Sequence, residues 1–322
     1  MGFARLPTLE TLRLLVAVVE TGSITGGADE LGISQQAASR RIGALEADLG
    51  RPLFDRSAQG SQPTSTCRDL AQEARHVLDA ADRLAERIDR LTGVAARPLR
   101  IAASLTIAEH LVPRWLMALR RGDPDAIRAD VELHPGNSES VAGLVRAGVV
   151  DLGFVETTDR PAGLAARQIA DDELVVVVAP THPWAQAGRR VSVDDLATTP
   201  LVMRERGSGT RRALETLLDQ RGIPELASPV LELPASAAVR AAIADGAGPG
   251  VLSLLAVDDD LRLGRLVRIS LDGPPLMRPL TALRRPGSTL SPAARSLLRV
   301  ASGAQSRAGI PARINSAVMG LE

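Results

Sequence analysis

SITGGADELGISQQAASRRI, residues 23–42, decides how the rest of the chain is read. Its spacing fits two short helices joined by a tight turn. Ala28 and Leu31 fall on the inner face of the first helix, and Gly32 stands just past its end, where a residue without a Cβ adopts the left-handed conformation at least cost. Ile33 anchors the turn, Ser34 offers a hydroxyl to cap the next helix, and Ala38, Ile42 and Leu45 continue the apolar stripe. The opposite face carries Gln35, Gln36, Ser39 and Arg40. Glutamine can bridge adenine, arginine can bridge guanine, and a hydroxyl reaches base edges or phosphates. The pattern is that of a helix-turn-helix; an ordinary helical hairpin packed through small residues is the alternative.

Outward from this stretch, ALEADLGRPLFDR (residues 44–56) closes a third helix and leads into a short hairpin that ends near Thr64. Through GSIT, GGADELGIS, ASRRI, LE, LG and LFDR, residues 9–70 resemble the amino-terminal winged helix-turn-helix of LysR-type transcriptional regulators, with the motifs in the family's order. The resemblance implies that Ser23, Thr25, Ser34, Gln35, Gln36, Ser39, Arg40, Arg41 and Arg56 bind DNA. Gln35, Gln36, Ser39 and Arg40 would face the major groove, and Arg56, at the start of the wing, would reach a neighbouring phosphate or the minor groove. Three departures bear on helix stability and wing shape. Gly27 and Ala28 stand where paired alanines are common, Gln36 where proline is frequent, and Pro63 and Cys67 where leucine and glycine are usual.

A chain of 322 residues, 45% hydrophobic, is too long for a DNA-binding module alone and has room for a larger second domain. The formal net charge is zero, and the first 66 residues hold seven acidic side chains against six arginines. Non-specific DNA affinity depends on neutralised phosphates, so binding would have to rest on local clustering of Arg40, Arg41 and Arg56. Every basic residue counted is arginine. The single cysteine, Cys67, excludes an internal disulfide, fits a reducing compartment and reads as a packed small residue, with a redox role as the lesser alternative. The longest early apolar run, residues 14–19, is far short of a membrane crossing, and no signal peptide is legible, so a cytoplasmic protein is expected.

From about residue 68 to 91, Leu70, Ala74, Val77, Ala81, Leu84, Ile88 and Leu91 recur at alternating three- and four-residue spacings, the seam of a coiled coil. A helix lying on its own domain would show a similar stripe; the resemblance favours dimerisation. Two recognition helices on one dimer would read two half-sites of an imperfect palindrome.

Beyond residue 98 strands and helices alternate: LRIAAS, a helix over residues 107–120, VELHPG, a helix over residues 138–147, and DLGFVE. A second set follows with DELVVVVAP, VSVDDLAT, PLVMRE, a helix over residues 209–220, PVLEL and a helix over residues 235–245. LVRISL, PLTALRR and a helix over residues 291–300 would return the chain to the first lobe. Such alternation predicts a mainly parallel sheet covered on both faces. SLTIAEHLVP, VELHPGNSESV, GVVDLGFVE and RERGSGTR resemble the effector-binding domain of the same family, which looks like a two-lobed periplasmic solute-binding protein. The fold class expected is thus multidomain α/β. It comprises a winged helix-turn-helix (1–66), a coiled-coil linker helix (67–94) and a two-lobed α/β effector domain (95–302), followed by a flexible tail (303–322). Lobe I would take about 95–165 and 268–302, and lobe II 166–267.

In α/β folds ligands sit at the carboxyl ends of strands, where helix amino termini present N–H groups. Three loops qualify: Ser104, Leu105 and Thr106; Asn137 and Ser138; and Ser208, Gly209 and Thr210 with Arg211 beside them. Each could equally be plain helix capping, and their convergence from both lobes is the effector-site expectation. Glu156 and Glu205 join the set as candidates for an amine or water. GSGTRR lacks the lysine and spacing of a phosphate-binding P-loop, the four histidines have no metal-ligand spacing, and no serine occupies a G-x-S-x-G elbow. Neither a metal site nor a cofactor is indicated, and an α/β enzyme finds no catalytic constellation.

The resemblance implies a sequence-specific transcription factor, acting as a dimer or tetramer on promoter double-stranded DNA. It would respond to a small cytoplasmic effector and meet RNA polymerase. SLTIAE and RERGSGTR look most like members linked to sulfur assimilation or carbon fixation, which suggests an anion or a phosphorylated metabolite. The alternative is a ligand sensor with impaired DNA binding that acts through protein contacts, motivated by the near-neutral amino-terminal charge and Gly27.

Overall fold

The computed structural model describes residues 6–57, 60–91, 98–122, 131–157, 161–186, 189–223, 225–288 and 290–303. The amino-terminal part is built from α1 (Leu9–Thr21), α2 (Ile24–Leu31), α3 (Gln35–Leu49), the hairpin β1 (Phe54–Ser57) and β2 (Gly60–Pro63), and α4 (Ser65–Leu91). Side-chain hydroxyls of Thr8, Ser23 and Ser34 cap the first three helices, and Gly22, Gly32 and Gly50 end them with positive φ. These positions therefore fix helix lengths that apolar periodicity alone leaves loose. Leu14, Leu15, Val18, Ala38, Ile42 and Leu53 are buried together with Cys67, Ala71 and Ala74 of α4.

Helix α4 has 27 residues, about 40 Å at 1.5 Å per residue. Its first half belongs to the DNA-binding core. Farther along, Asp82 is buried and accepts from Arg295 Nε at 2.7 Å, which pins the helix to the effector domain. Of the expected seam, Ala74 is buried in the core, whereas Val77, Leu84, Ile88 and Leu91 are exposed. The stripe thus divides into a half spent on the protein's own core and a half that faces outward.

The effector domain begins with β3 (Leu99–Ser104), α5 (Leu105–His110), α6 (Val112–Gly122), β4 (Val131–Gly136), α7 (Ser138–Ala147) and β5 (Leu152–Glu156). The single helix expected over residues 107–120 is two helices. Pro113, in the first turn of α6, lacks the N–H that would continue the α5 ladder. Strand β6 (Ala165–Val178) leads to a 3-10 turn (Pro183–Ala185), β7 (Arg190–Val191), α8 (Val193–Thr198), β8 (Val202–Arg204), α9 (Gly209–Asp219), β9 (Leu231–Leu233) and α10 (Ser236–Ala244). The chain closes with β10 (Gly250–Ser253), α11 (Leu254–Arg262), β11 (Val267–Leu271), β12 (Leu276–Arg284) and α12 (Pro292–Gly303).

Sheet order is β4-β3-β5-β12-β6-β10-β8-β9, with β11 joining β6 and β7. The outer pairs β3/β4, β3/β5, β8/β9 and β8/β10 are parallel, but β12 runs antiparallel to β5 and β6, and β6 antiparallel to β10 and β11. The expectation of a mainly parallel sheet is corrected to a mixed one. The central strands cross between lobes as single long segments rather than through helical crossovers. In β6, Val175 and Val177 enter one core of lobe II while Leu174, Val176 and Val178 enter the other, so a continuous apolar run fills both faces.

The lobe limits also move. Strand β11 pairs with Val176–Val178 and with β7, so it stays in lobe II, and the chain returns to lobe I only along β12, where Leu280 faces Glu156. The expected return at residue 268 is therefore early by about the length of one strand. Residues 165–170 of β6 lie with lobe I, not lobe II. The boundary at 94/95 lies outside the described residues, as does the expected tail of 303–322 except for Gly303, which is the last residue of α12. Among the described residues, no helix is long and apolar enough to cross a membrane.

Candidate functional site

The candidate DNA-reading surface is α3 with its preceding turn. Ala38, Ile42 and Leu45 are buried, so at about 100° per residue the outward stripe runs through Gln36 and Arg40. Gln35 and Ser39 flank it on one side and Arg41 lies on the other. All five are exposed, and none takes part in a hydrogen bond or ion pair among the described residues. Ser23 and Ser34 are less free, because their hydroxyls accept from Gly26 N at 2.9 Å and Ala37 N at 3.2 Å. Both can still donate a proton to a phosphate at the helix start. Thr25 is exposed in the first turn of α2. The backbone of Arg56 stands opposite Ser61 in the hairpin, and its side chain lies outside the described residues.

Glu46 sets the angle of the wing to this helix: its Oε1 accepts from Leu53 N at 2.7 Å and Phe54 N at 3.3 Å. The bulk charge count overstates the acidity of the surface, because three of the seven acids are drawn away from it. Glu46 is turned inward to the backbone, Glu20 is paired with Arg167 at 3.0 Å and Arg75 at 3.3 Å, and Glu30 is largely buried against the effector domain. Gly27 has an equally local cause. A Cβ there would meet Val18 Cγ2 at 2.5 Å and Val18 N at 2.9 Å, so glycine lets α2 lie directly on α1. The two observations that motivated a sensor with impaired DNA binding thus have structural explanations. Cys67 is fully buried and its thiol is pushed up to about 11 by that burial, the behaviour of a packed small residue.

The second candidate site lies where the lobes meet. Ser104 ends β3, Glu156 ends β5, and Ser208 precedes α9 of the other lobe. Ser104 and Ser208 are each 1% exposed, and both occupy cap positions without capping. Their Oγ atoms and Glu156 Oε1 are buried without a hydrogen-bond partner, the kind of atom that costs stability unless something else binds it. Thr106 and Ser138 are buried beside them, and Leu105 is half-buried. The lobes touch closely: a Cβ on Gly209 would come within 2.1 Å of the Glu156 carbonyl oxygen and 2.4 Å of Ser138 Oγ. Asn137 caps α7 by accepting from Ser140 N at 2.9 Å and reaches across to Glu205 Oε1 at 3.4 Å.

Strand register adds groups that the sequence reading missed. Arg278 of β12 lies opposite Asp172 of β6 and is completely buried. Its Nε donates to Asp172 Oδ2 at 2.7 Å, and its Nη1 donates to Thr210 Oγ1 at 2.9 Å and reaches Glu156 Oε2 at 3.4 Å. Ser253 Oγ also donates to Asp172, at 2.7 Å. One guanidinium therefore serves two buried carboxylates and ties both lobes together. Burial pushes the Asp172 carboxyl up, with Arg278 and then the Ser253 hydrogen bond opposing it. A charge placed mid-strand between apolar neighbours was the available signal, but only pairing across strands 106 residues apart gives it a partner.

Two expected effector residues are otherwise engaged. Arg211 turns away from the cleft to Glu215 at 2.8 Å and Glu232 at 2.6 Å, so it braces lobe II. Glu205 accepts from Arg204 Nε and Nη2 at 2.8 and 3.0 Å, which leaves it at the cleft's edge as a paired charge.

Residues 9–68 match the family described as bacterial regulatory helix-turn-helix protein, lysR family, and residues 92–305 match LysR substrate binding domain. An uncharacterized HTH-type transcriptional regulator of Mycobacterium tuberculosis is 42% identical over 290 residues, covering 89% of this chain and 93% of its own. The RuBisCO operon transcriptional regulator of Allochromatium vinosum is 33% identical over 289 residues, with 89% and 93% covered. Among solved structures, the regulatory domain of Synechocystis CcmR in complex with 2-PG superposes with a TM-score of 0.58 at 25% identity, covering 66% of this chain and 99% of that one.

Proposed function

The chain belongs to the LysR family of DNA-binding transcriptional regulators, and from that premise we propose that it switches promoter binding in response to a small metabolite held between its lobes. The observation that carries the reading is the set of three buried polar atoms without partners, Ser104 Oγ, Ser208 Oγ and Glu156 Oε1, at the meeting of β3, β5 and α9. The metabolite carries an anionic group, taken by Ser208, Thr210 and the first N–H groups of α9, where the helix presents its positive end. It also carries a hydrogen-bond donor, which takes Glu156 Oε1. Leu105, Thr106, Asn137 and Ser138 shape the surrounding wall.

Opening and closing the lobes shifts the Arg278 contacts, and β6 and β12 carry that movement toward the DNA-binding domain through Arg167 and its partner Glu20. The exposed seam Val77, Leu84, Ile88 and Leu91 joins a second copy of the chain, which places two α3 helices on two half-sites of promoter DNA. The assembly, a dimer or a pair of dimers, acts in the cytoplasm and meets RNA polymerase at the promoter. Ser23, Thr25 and Ser34 position the domain on phosphates with Arg41 and Arg56, while Gln35, Gln36, Ser39 and Arg40 read base edges.

The test is a salt titration of the full-length protein on the intergenic DNA upstream of its own gene. Specific, salt-sensitive binding across two half-sites is expected, together with a change in affinity or bend when the effector is added. Equal and weak binding to any DNA would overturn the reading.

A further inference from the structure

The DNA-binding domain is docked on its own effector domain, and the join holds a partly open cavity of about 150 Å³ lined from both sides. Gly32, in the turn between α2 and α3, lies so close to the effector domain that a Cβ on it would fall 2.7 Å from Gly287 Cα. Leu152, Leu164, Ala166, Leu283 and Leu298 give the cavity apolar walls, while Asp29 and Glu30 of α2, Arg167 of β6 and Arg284 of β12 bring charge to it.

Glu30 and Arg284 attract each other across the cavity but make neither an ion pair nor a hydrogen bond together. Glu30 Oε2 is buried with no hydrogen-bond partner. Arg284 makes no ion pair among the described residues, and the one hydrogen bond of its side chain there is a long one, from Nη1 to the Arg285 carbonyl oxygen at 3.4 Å. Of the other two charged groups, Arg167 is already committed to Glu20 at 3.0 Å, and Asp29 is exposed at the rim. A half-buried guanidinium that is near Glu30 but in ion-pair contact with no carboxylate, and a carboxyl oxygen without a donor, above an apolar floor, make an incomplete arrangement that a ligand would complete.

We propose that this cavity is a second small-molecule site, distinct from the interlobe cleft, and that it takes a small organic acid with an apolar body. The carboxylate of such a ligand lies on Arg284, and its hydrocarbon part fills the leucine-lined space. A cavity of about 150 Å³ admits a single six-membered ring. Glu30 shares a proton with the ligand carboxylate. Its own carboxyl is pushed up by burial, a shift that Glu20 on α1 reinforces and that Arg167 on β6 and Arg284 on β12 oppose, so the protonated form is within reach. Because the walls come from both domains, occupancy fixes how the DNA-binding domain sits on lobe I.

Titration calorimetry of the full-length protein with cyclohexanecarboxylate tests this, with cyclohexylmethanol as the uncharged counterpart. Saturable binding of the acid is expected, and weaker binding of the alcohol. Arg284→Met should weaken the acid about ten- to hundred-fold, the worth of a charge-assisted hydrogen bond. Ala166→Leu, which fills the apolar wall without touching a charge, should abolish binding even if the arginine variant folds poorly. Glu30→Gln, a permanent donor, should retain or tighten it. No saturable binding to the wild type, or binding unchanged in both Arg284→Met and Ala166→Leu, would overturn the proposal. Loss of binding in Ser104→Ala or Ser208→Ala with Arg284→Met unaffected would place the acid in the interlobe cleft instead; the second site then falls while the reading of the cleft stands.

Discussion

Replacing Arg278 with methionine isolates the energetics of the interlobe knot. The guanidinium is fully buried and the side chains of its partners Asp172 and Glu156 are 1% and 3% exposed, so the substitution strands two carboxylates where water does not reach. Breaking a buried pair of this kind costs about 3–5 kcal/mol. Relief comes from the Ser253 hydroxyl, which still donates to Asp172 at 2.7 Å, and from proton uptake by Asp172. Protonating a carboxyl of ordinary pKa at pH 7 costs about 4 kcal/mol, which caps the Asp172 share and falls by about 1.4 kcal/mol for each pH unit.

The sign follows from linkage. Asp172 is held above its unfolded pKa by burial, and without Arg278 it is pushed higher, so the folded variant binds a proton that the unfolded chain has released. The variant should therefore lose stability as pH rises through that elevated pKa and regain it as pH falls toward the ordinary carboxylate range. Urea unfolding followed by tryptophan fluorescence reads this cleanly. The chain holds two tryptophans, and Trp115 lies in the core of lobe I and Trp184 in that of lobe II, so the DNA-binding domain is silent. A loss below about 1 kcal/mol at neutral pH, or one independent of pH, would refute the picture of a dry, singly compensated knot.

The remaining predictions are more local. Arg40→Ala should lower operator affinity by about 1–3 kcal/mol if it bridges a guanine, or cut the salt slope by about one if it contacts a phosphate; an unchanged titration curve would remove it from the interface. Ser104→Ala should leave the urea midpoint of the effector domain unchanged or raise stability by up to about 1 kcal/mol, because it removes a buried hydroxyl without a partner, while blunting the effector response; a clear loss of stability would show that the hydroxyl is bonded. Gly27→Ala should destabilise the DNA-binding domain by about 1–3 kcal/mol through overpacking against Val18 despite alanine's better helix propensity, with hydrogen exchange in α1 and α2 as the readout. Cys67, with its thiol pushed up to about 11, should resist a thiol reagent at pH 8 until the protein unfolds; rapid labelling of the native protein would contradict its burial.

The helix-turn-helix was legible because its determinants are local. Ser23, Gly32, Ser34 and Gly50 act on backbone groups within a few residues, and the structure uses each of them at a helix end. The outward stripe of Gln36 and Arg40 follows from where Ala38, Ile42 and Leu45 fall. The strand and helix alternation of the effector domain was legible for the same reason, including α7 and α9 nearly to the residue. The β10 and α11 segment, residues 250–262, passed unread, because GVLSLLAV is a short apolar run that periodicity alone assigns to neither state.

Pairing was not legible, and the parts of the function that depend on pairing were not either. The return at β12 rather than β11, the antiparallel centre of the sheet and the Arg278–Asp172–Glu156 knot each join segments tens to more than a hundred residues apart. Likewise, seven acids among the first 66 residues suggested a weak DNA-binding face, when Glu20, Glu30 and Glu46 are drawn inward or toward the effector domain. The family, the helix ends and the candidate DNA-reading residues follow from the amino-acid sequence alone, since capping, periodicity and turn chemistry act over three or four residues. Which charges are neutralised, which hydroxyls are left without partners and which surfaces of the two domains meet emerge only in the folded molecule. Those are set by burial and strand register, which the chain acquires only when distant segments pack.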